Sequence, residues 1–185
     1  MIVYTTIAML LAGCSSESNF YQLHPSSQYI GQSSIKKHKV IAISDVQVAD
    51  YLDKPQVITR VDKGELKLNE FDRWVGDIGK NIQQVLNKDI SSKLPRYTIL
   101  SKPLQEPIDE DYTLYISIDR FDGDINGSVV LSGHWSLVDA QDRTLLKGKK
   151  FNYITHTQND IASIVNAQSK LLSKLSSSIS YAITR

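Results

Sequence analysis

Two segments of the chain repeat apolar residues at the spacing of an amphipathic helix. In the first, isoleucine, valine and leucine recur every three or four positions between 78 and 94, and Pro95 ends the pattern. The second extends from 161 to 179 and has serine and lysine on its opposite face. We expect both apolar faces to pack on a sheet. Side chains suited to capping these helices are Asn69 or Asp72 for the first and Asn159 or Asp160 for the second.

Most other apolar segments alternate with polar residues or form short runs, which is typical of β-strands. Turn residues connect the last three strands, so these should form an antiparallel meander. Covering one face of a sheet with two helices is the economical arrangement. The sequence therefore predicts an α+β fold: a single domain with a mainly antiparallel sheet and two amphipathic helices packed on one face. The predicted strands are 20–23, 40–48, 56–61, 65–68, 97–100, 112–121, 128–138 and 143–155.

The first thirteen residues, MIVYTTIAMLLAG, form an uncharged and mainly apolar segment. It is shorter than the roughly twenty residues of a membrane-spanning helix and has the length of a signal-peptide core. The segment ends in Leu11, Ala12 and Gly13, which together with Cys14 resemble a bacterial lipobox. The resemblance implies that the Cys14 thiol receives a diacylglyceryl group, that the preceding residues are removed, and that the new amino group is acylated. The alternative is a buried structural cysteine in an ordinary domain.

The lipobox interpretation divides the chain into three parts. Residues 1–13 are a lipoprotein signal peptide, residues 14–37 are the acylated N-terminus and a tether that includes the short strand, and residues 38–185 are the domain. Ser15 stands where lipoproteins retained at the inner membrane commonly have aspartate. By that sorting rule, we expect a lipid-anchored protein on the periplasmic face of the outer membrane.

Composition and charge narrow the function classes. Hydrophobic residues make up 41% and charged residues 22% of the chain, as in ordinary globular domains. Lysine and arginine number 21 against 20 aspartates and glutamates, so the chain lacks the basic excess expected of a nucleic-acid-binding protein. The single cysteine excludes an intrachain disulfide and a cysteine-based zinc site.

Motifs that carry catalysis or bind metals are missing from the sequence. The four histidines lack the spacing of paired metal ligands, and no nucleophile elbow, P-loop or dinucleotide-binding glycine motif occurs. Aspartates at 119, 122, 124, 139 and 142 fall at strand ends and turns, where they commonly bond to the local backbone. We therefore predict no catalytic residues, no metal, no cofactor and no enzymatic activity.

Two groups of aromatic, apolar and arginine side chains are candidates for contacts with other molecules. The first lies within 51–60, in a loop and the strand that follows, and the second lies within 70–74, at the expected entrance of the first helix. Tyrosine, tryptophan and arginine dominate protein interfaces. The same residues can instead cover the end of the core, with Asp72 as the helix cap, and both interpretations remain open. The candidate interface residues are Tyr51, Leu52, Arg60, Arg73 and Trp74.

These motifs together resemble the ABC-type transport auxiliary lipoproteins, the PqiC-like or YmbA family. The resemblance covers nearly the whole mature chain. It rests on the lipobox and, in order, on YQL at 21–23, YLDKPQVITR at 51–60, FDRW at 71–74, FDG at 121–123 and GHWSL at 133–137.

The resemblance implies an accessory subunit of an MCE-type intermembrane lipid transport system, with a docking role and no catalysis. Its implied partners are an MCE-domain protein that spans the periplasm, the outer membrane through the acyl anchor, and further copies of itself in a homo-oligomer. Cys14 is the implied lipidation site. The alternative is a structural or assembly lipoprotein of the cell envelope without lipid cargo.

Overall fold

The computed structural model describes residues 17–27, 39–104, 107–124 and 126–185. The predicted signal peptide, Cys14 and the tether residues 15–16 and 28–37 lie outside the described residues. The strands are β1 (Asn19–Tyr21), β2 (Lys39–Ile43), β3 (Gln47–Val48), β4 (Gln56–Arg60), β5 (Leu66–Trp74), β6 (Tyr97–Ser101), β7 (Tyr112–Asp124), β8 (Ser128–Asp139) and β9 (Leu145–His156). The helices are α1 (Ile78–Lys93), between β5 and β6, and α2 (Ile161–Ile183), after β9.

The strands of the described residues form one mixed sheet around the long strand β7. On one side, β7 pairs antiparallel with β8, which pairs antiparallel with the edge strand β9. On the other side, β2, β3 and β4 pair parallel with the beginning, middle and end of β7. The sheet continues from β2 to β6, and from β4 through β5 to β1. The α+β class and the antiparallel meander are confirmed, and the parallel strands beside β7 make the sheet mixed.

Both helices pack on one face of this sheet, called here the inner face. Apolar side chains from α1, α2 and the central strands form a single buried core. Gly123 of β7 lies directly under α2, since a Cβ atom there would stand 2.8 Å from the side chain of Ile164. Gln168 of α2 also donates from Nε2 to the Phe121 carbonyl at 2.9 Å. These contacts hold α2 close to the C-terminal half of β7.

Residues 22–27, which the sequence analysis assigned to the tether, are attached to the helices. Leu23 is buried, and its N–H donates to Oδ1 of Asn81 on α1 at 2.8 Å. The N–H groups of Ser26 and Ser27 donate to the buried carboxylate of Asp89 at 2.9 and 3.1 Å. The chain that follows β1 is therefore fixed to the domain by hydrogen bonds.

The caps of the two helices differ from each other in how well the sequence predicted them. Asp160 caps α2, as predicted, by accepting a hydrogen bond from the Ser163 N–H. The predicted caps Asn69 and Asp72 of α1 are wrong, because both residues lie within β5. Asp77 caps α1 instead and accepts from the Lys80 N–H at 2.7 Å. Gly76, with φ of +83°, allows the sharp turn between β5 and this cap.

The second half of β5 was also predicted wrongly. Residues 70–74 were expected at a helix entrance, but they continue the strand as far as Trp74. They do so because β1 pairs with them in parallel, from Asn19 opposite Asp72 to Tyr21 opposite Trp74. Gln56 of β4 pairs with Arg73 from the other side, so strands distant in sequence determine the conformation of these residues. The predicted strand 40–48 is likewise divided, with β2 and β3 separated by residues 44–46.

Candidate functional site

A buried carboxylate is the centre of the polar site that the fold constructs. Asp122 lies near the end of β7, and its side chain is fully shielded from solvent. A register shift between Ile118 and Arg120 changes the alternation along β7, so that Phe121 and Gly123 face α2. Asp122, between them, points to the opposite or outer face of the sheet.

Three side chains converge on this carboxylate, and together with it they are called the Asp122 cluster. Arg60, from β4, makes a bidentate contact, with Nε 3.2 Å from Oδ1 and Nη2 3.1 Å from Oδ2. Arg120 adds a bond from its Nε to Oδ1 at 3.0 Å. The Tyr51 hydroxyl donates to Oδ2 at 2.7 Å. The two arginines and the tyrosine therefore give the buried charge the hydrogen bonds and counter-charge it needs.

Burial and the bonds to Asp122 keep Tyr51 protonated and Arg60 charged. Burial, followed by the hydrogen bond to Asp122, raises the pKa of the Tyr51 hydroxyl well above its usual value of 10.0. The hydrogen bond to Asp122 likewise raises the pKa of Arg60. The Arg60 guanidinium also lies over the Tyr51 ring, 5.9 Å from its centroid. Tyr51 thus remains a neutral donor and Arg60 a cation, and their bonds to Asp122 join β4 and the loop before it to β7.

The pairing of β4 with β5 makes the two predicted candidate groups neighbours. Tyr51 and Arg60 belong to the Asp122 cluster, whereas Leu52 and Trp74 are buried in the apolar core. The Trp74 N–H donates to the Pro55 carbonyl at 2.8 Å, which joins the two segments directly. Arg73 is partly exposed, and its Nε donates to the Glu70 carbonyl at 3.1 Å. Packing at the end of the core therefore accounts for Leu52 and Trp74, while Tyr51, Arg60 and Arg73 keep an accessible part.

The sequence analysis treated Asp122 as one of several turn aspartates, and for Asp122 this was wrong. Asp124, Asp139 and Asp142 do bond to local backbone N–H groups. Asp122 instead binds residues as far away in sequence as Tyr51 and Arg60, because the parallel pairing of β4 with β7 brings them together. A charged residue between the apolar Phe121 and a glycine, inside a strand, was the available signal.

A second surface lies at the β1–β5 edge of the sheet, and of its residues only Phe71 belonged to a predicted candidate group. Phe20, Phe71 and Val75 are 65%, 52% and 55% exposed, and we call these three side chains the edge patch. Phe20 of β1 is the register partner of Arg73 on β5, and Phe71 precedes Arg73 by two positions, the spacing of residues on one face. The Val75 N–H donates to the Tyr21 carbonyl, so Val75 lies beside the end of β1. Three apolar side chains are thus gathered in the open at one corner.

An open cleft of about 400 Å³ lies on the outer face where β7 lacks a parallel neighbour. It arises because β2 pairs with β7 only as far as Leu114 and β3 begins pairing at Ser117. Its lining includes Asp45, Lys102, Tyr115 and His134. His134 is exposed, as the alternation of β8 predicts. Among the described residues, no hydrogen bond joins any two of these four side chains as a nucleophile and its base would be joined.

Within the residues that the structure describes, histidine, cysteine, aspartate and glutamate side chains do not gather in groups of three or more that could hold a metal ion. Neither helix in the described part of the chain has the length and apolar character that crossing a membrane requires.

Comparison with known proteins places this arrangement in a family. The model of the family described as "ABC-type transport auxiliary lipoprotein component" matches residues 21–180. The chain is 27% identical over 136 residues to the intermembrane transport lipoprotein PqiC of Escherichia coli, covering 72% of this chain and 71% of that protein. The PqiC of Shigella flexneri matches to the same extent.

Solved structures show the same fold. The crystal structure of an uncharacterized protein has a TM-score of 0.76 at 21% identity, and the match covers 91% of this chain and 99% of that one. Protein XCC0632 from Xanthomonas campestris has a TM-score of 0.69 at 16% identity and covers 88% of this chain and 93% of its own. At these identities the similarity concerns the fold alone.

Proposed function

Since the chain belongs to the ABC-type transport auxiliary lipoprotein family, we propose that it is the outer-membrane-anchored accessory subunit of an MCE-type intermembrane lipid transport system. The observation that carries this proposal is the family match over residues 21–180, together with the identity to PqiC. The chain is thereby an intermembrane transport lipoprotein by family. Its membrane, its partner and its mode of anchoring are the parts that we propose.

The proposed anchor is the acylated Cys14, the single cysteine of the chain. A single acyl chain binds a membrane only marginally, whereas two or more chains hold firmly. A diacylglyceryl group on the thiol and a further acyl chain on the amino group would therefore keep the domain at the bilayer. In this arrangement the domain faces the periplasm from the outer membrane.

The proposed role is docking, without catalysis. The Asp122 cluster satisfies its own buried charge, and Arg60 and Tyr51 are committed to it. We place the contact with an MCE-domain protein, or with a further copy of this chain, on the accessible parts of Tyr51 and Arg60. Arg73 stands among the side chains of the edge patch and is not part of this contact. Leu52 and Trp74 support that surface from the core beneath it.

Crosslinking in intact membranes tests this role. A photoreactive amino acid replaces Lys63, an exposed residue whose carbonyl accepts a hydrogen bond from Arg60 Nη1, in one variant and Lys149, an exposed residue of the edge strand β9, in a matched control. We expect position 63 to form an adduct with an MCE-domain protein and position 149 to form none. An acylated, folded protein that forms no adduct with an MCE-domain protein, and does not co-purify with one, would instead support a structural lipoprotein without lipid cargo.

A further inference from the structure

The edge patch is exposed although it consists of three large apolar side chains. Phe20, Phe71 and Val75 stand at the corner where β1 ends the sheet. We propose that this patch rests on the surface of the lipid bilayer beside the acyl anchor and so sets the orientation of the domain on the membrane. The inference rests on the lipidation of Cys14, which is part of the proposed function.

Only a short length of chain connects the anchor to the sheet. Asn19, the first residue of β1, follows Cys14 by only five residues. An extended chain spans at most about 3.6 Å per residue, so β1 begins within roughly 18 Å of the acylated residue. The chain cannot lengthen from the other side, because Leu23, Ser26 and Ser27 are hydrogen-bonded to α1.

The strand next to the anchor, β1, lies at one edge of the sheet. The order β1, β5, β4, β7, β8, β9 puts the strand next to the anchor at one edge and β9 at the other. Five spacings of about 4.8 Å separate these edges, or roughly 24 Å. The chain from Cys14 to Asn19 is thus shorter, even when fully extended, than the width of the sheet. The β1 corner must remain close to the bilayer, while β9 can stand away from it.

The edge patch is small and combines aromatic with aliphatic side chains, which suits contact with lipid. Aromatic rings with neighbouring aliphatic groups are the side chains that bury in the boundary between headgroups and acyl chains. Three side chains are too few for a stable protein interface, which buries at least about 1,000 Å² in total. The edge of β1, only three residues long, also offers little backbone for pairing with a second copy. A shallow contact with lipid that assists an existing acyl anchor fits both facts.

A fluorescent label can measure the depth of the patch directly. Acylation consumes the only cysteine of the chain, so a cysteine introduced elsewhere is the only free thiol of the mature protein. Phe71→Cys places the label in the patch, and Leu145→Cys, at an exposed position of β9, is the matched control. Each acylated full-length variant carries an environment-sensitive fluorophore and is reconstituted into vesicles of phosphatidylethanolamine and phosphatidylglycerol, with or without brominated acyl chains.

We expect the emission at position 71 to shift to shorter wavelength on reconstitution and to be quenched by the brominated lipids. The label at position 145 should keep its aqueous emission. Adding Phe20→Ser and Val75→Ser to the Phe71→Cys variant removes the neighbouring apolar groups and should abolish the shift at position 71. Circular dichroism of each variant confirms that the domain is folded.

Three results would overturn the inference. The label at position 71 could remain aqueous, or the label at position 145 could be quenched by lipid instead. Alternatively, position 71 could be shielded from soluble quenchers as well as from brominated lipids, which would assign the patch to a contact between copies. Mass spectrometry of the same samples separates these failures from failure of the anchor: a chain without acyl groups refutes the proposed function itself, whereas an acylated chain with an aqueous label refutes only the docking of the patch.

Discussion

The Asp122 cluster, which joins β4 to β7, and the edge patch, beside β1 and β5, are opposite in construction. In the cluster, a fully buried carboxylate is surrounded by two arginines and a tyrosine from separate segments, and the polar groups bond to one another. In the patch, the apolar groups of Phe20, Phe71 and Val75 are more than half exposed. The motif that contains Tyr51 and Arg60 therefore serves mainly to hold strands together. The edge patch, in contrast, leaves apolar groups free to contact lipid.

The largest expected effect comes from removing the positive charges of the cluster. Replacing both arginines, Arg60→Met and Arg120→Met, leaves the buried Asp122 with Tyr51 as its remaining partner in the cluster. Removing the partner of a buried charge costs about 3–5 kcal/mol, and we expect a loss of this size in the free energy of unfolding by urea. The matched control, Lys149→Met with Lys150→Met, removes two exposed cations from β9 and should change it by no more than about 0.5 kcal/mol. Equal losses in the two double variants would mean that the cluster is not a special support of the fold.

A smaller effect is expected for the tyrosine of the cluster. Tyr51→Phe removes the hydroxyl that donates to Asp122 at 2.7 Å and leaves the ring in place. Hydrogen bonds to charged groups contribute about 1.5–3 kcal/mol, so urea unfolding should show a loss within that range. An unchanged midpoint would show that the two arginines alone satisfy the carboxylate.

The difference in stability between wild type and Tyr51→Phe is expected to depend on pH. Burial and the bond to Asp122 raise the pKa of Tyr51 above 10.0, so its contribution is complete below that pH. Above pH 10, the unfolded chain loses this proton while the folded protein keeps it, and the contribution decreases. The stability difference between wild type and Tyr51→Phe should therefore narrow as the pH rises past 10 in urea titrations. A difference that stays constant or widens would contradict the assignment of Tyr51 as a neutral buried donor.

The smallest expected effect is at the edge patch. Phe71→Ala removes a side chain that is 52% exposed, and surface changes of this kind usually alter stability by no more than about 0.5 kcal/mol. Phe121→Ala is the contrasting control, because Phe121 is 2% exposed and truncation of a buried phenylalanine costs about 3–5 kcal/mol. If Phe71→Ala proves as damaging as Phe121→Ala in thermal unfolding, the patch belongs to the core and its availability for lipid contact is lost.

The helices and the meander were predictable because their signals are local. The apolar spacing of α1 and α2, the cap Asp160 and the turns around β8 all depend on residues near one another in sequence. The end of β5 was not predictable, because Trp74 is held in a strand by pairing with β1, more than fifty residues earlier. Asp122 was missed for the same reason: Tyr51 and Arg60 come from a loop and another strand, and the spacing of Arg120 two positions away on β7 does not by itself indicate a buried carboxylate.

The candidate site shows the same division. The two groups within 51–60 and 70–74 were recognised from composition, and the structure does bring them together through the bond from Trp74 to Pro55. Which of their atoms are accessible depended on packing, which composition does not encode. Phe20 was predicted as a strand residue and Phe71 as part of a helix entrance, and it is the position of β1 at the sheet edge that leaves both exposed.

The most direct test of the whole account is metabolic labelling of the chain with a clickable fatty acid, followed by separation of the membranes. The account predicts label on the wild-type protein, its recovery in the outer-membrane fraction, and complete loss of label in Cys14→Ala. A wild-type chain that carries no label, or a Cys14→Ala variant that is labelled as strongly as wild type, would contradict the anchor from which the membrane, the partner and the orientation of the domain all follow.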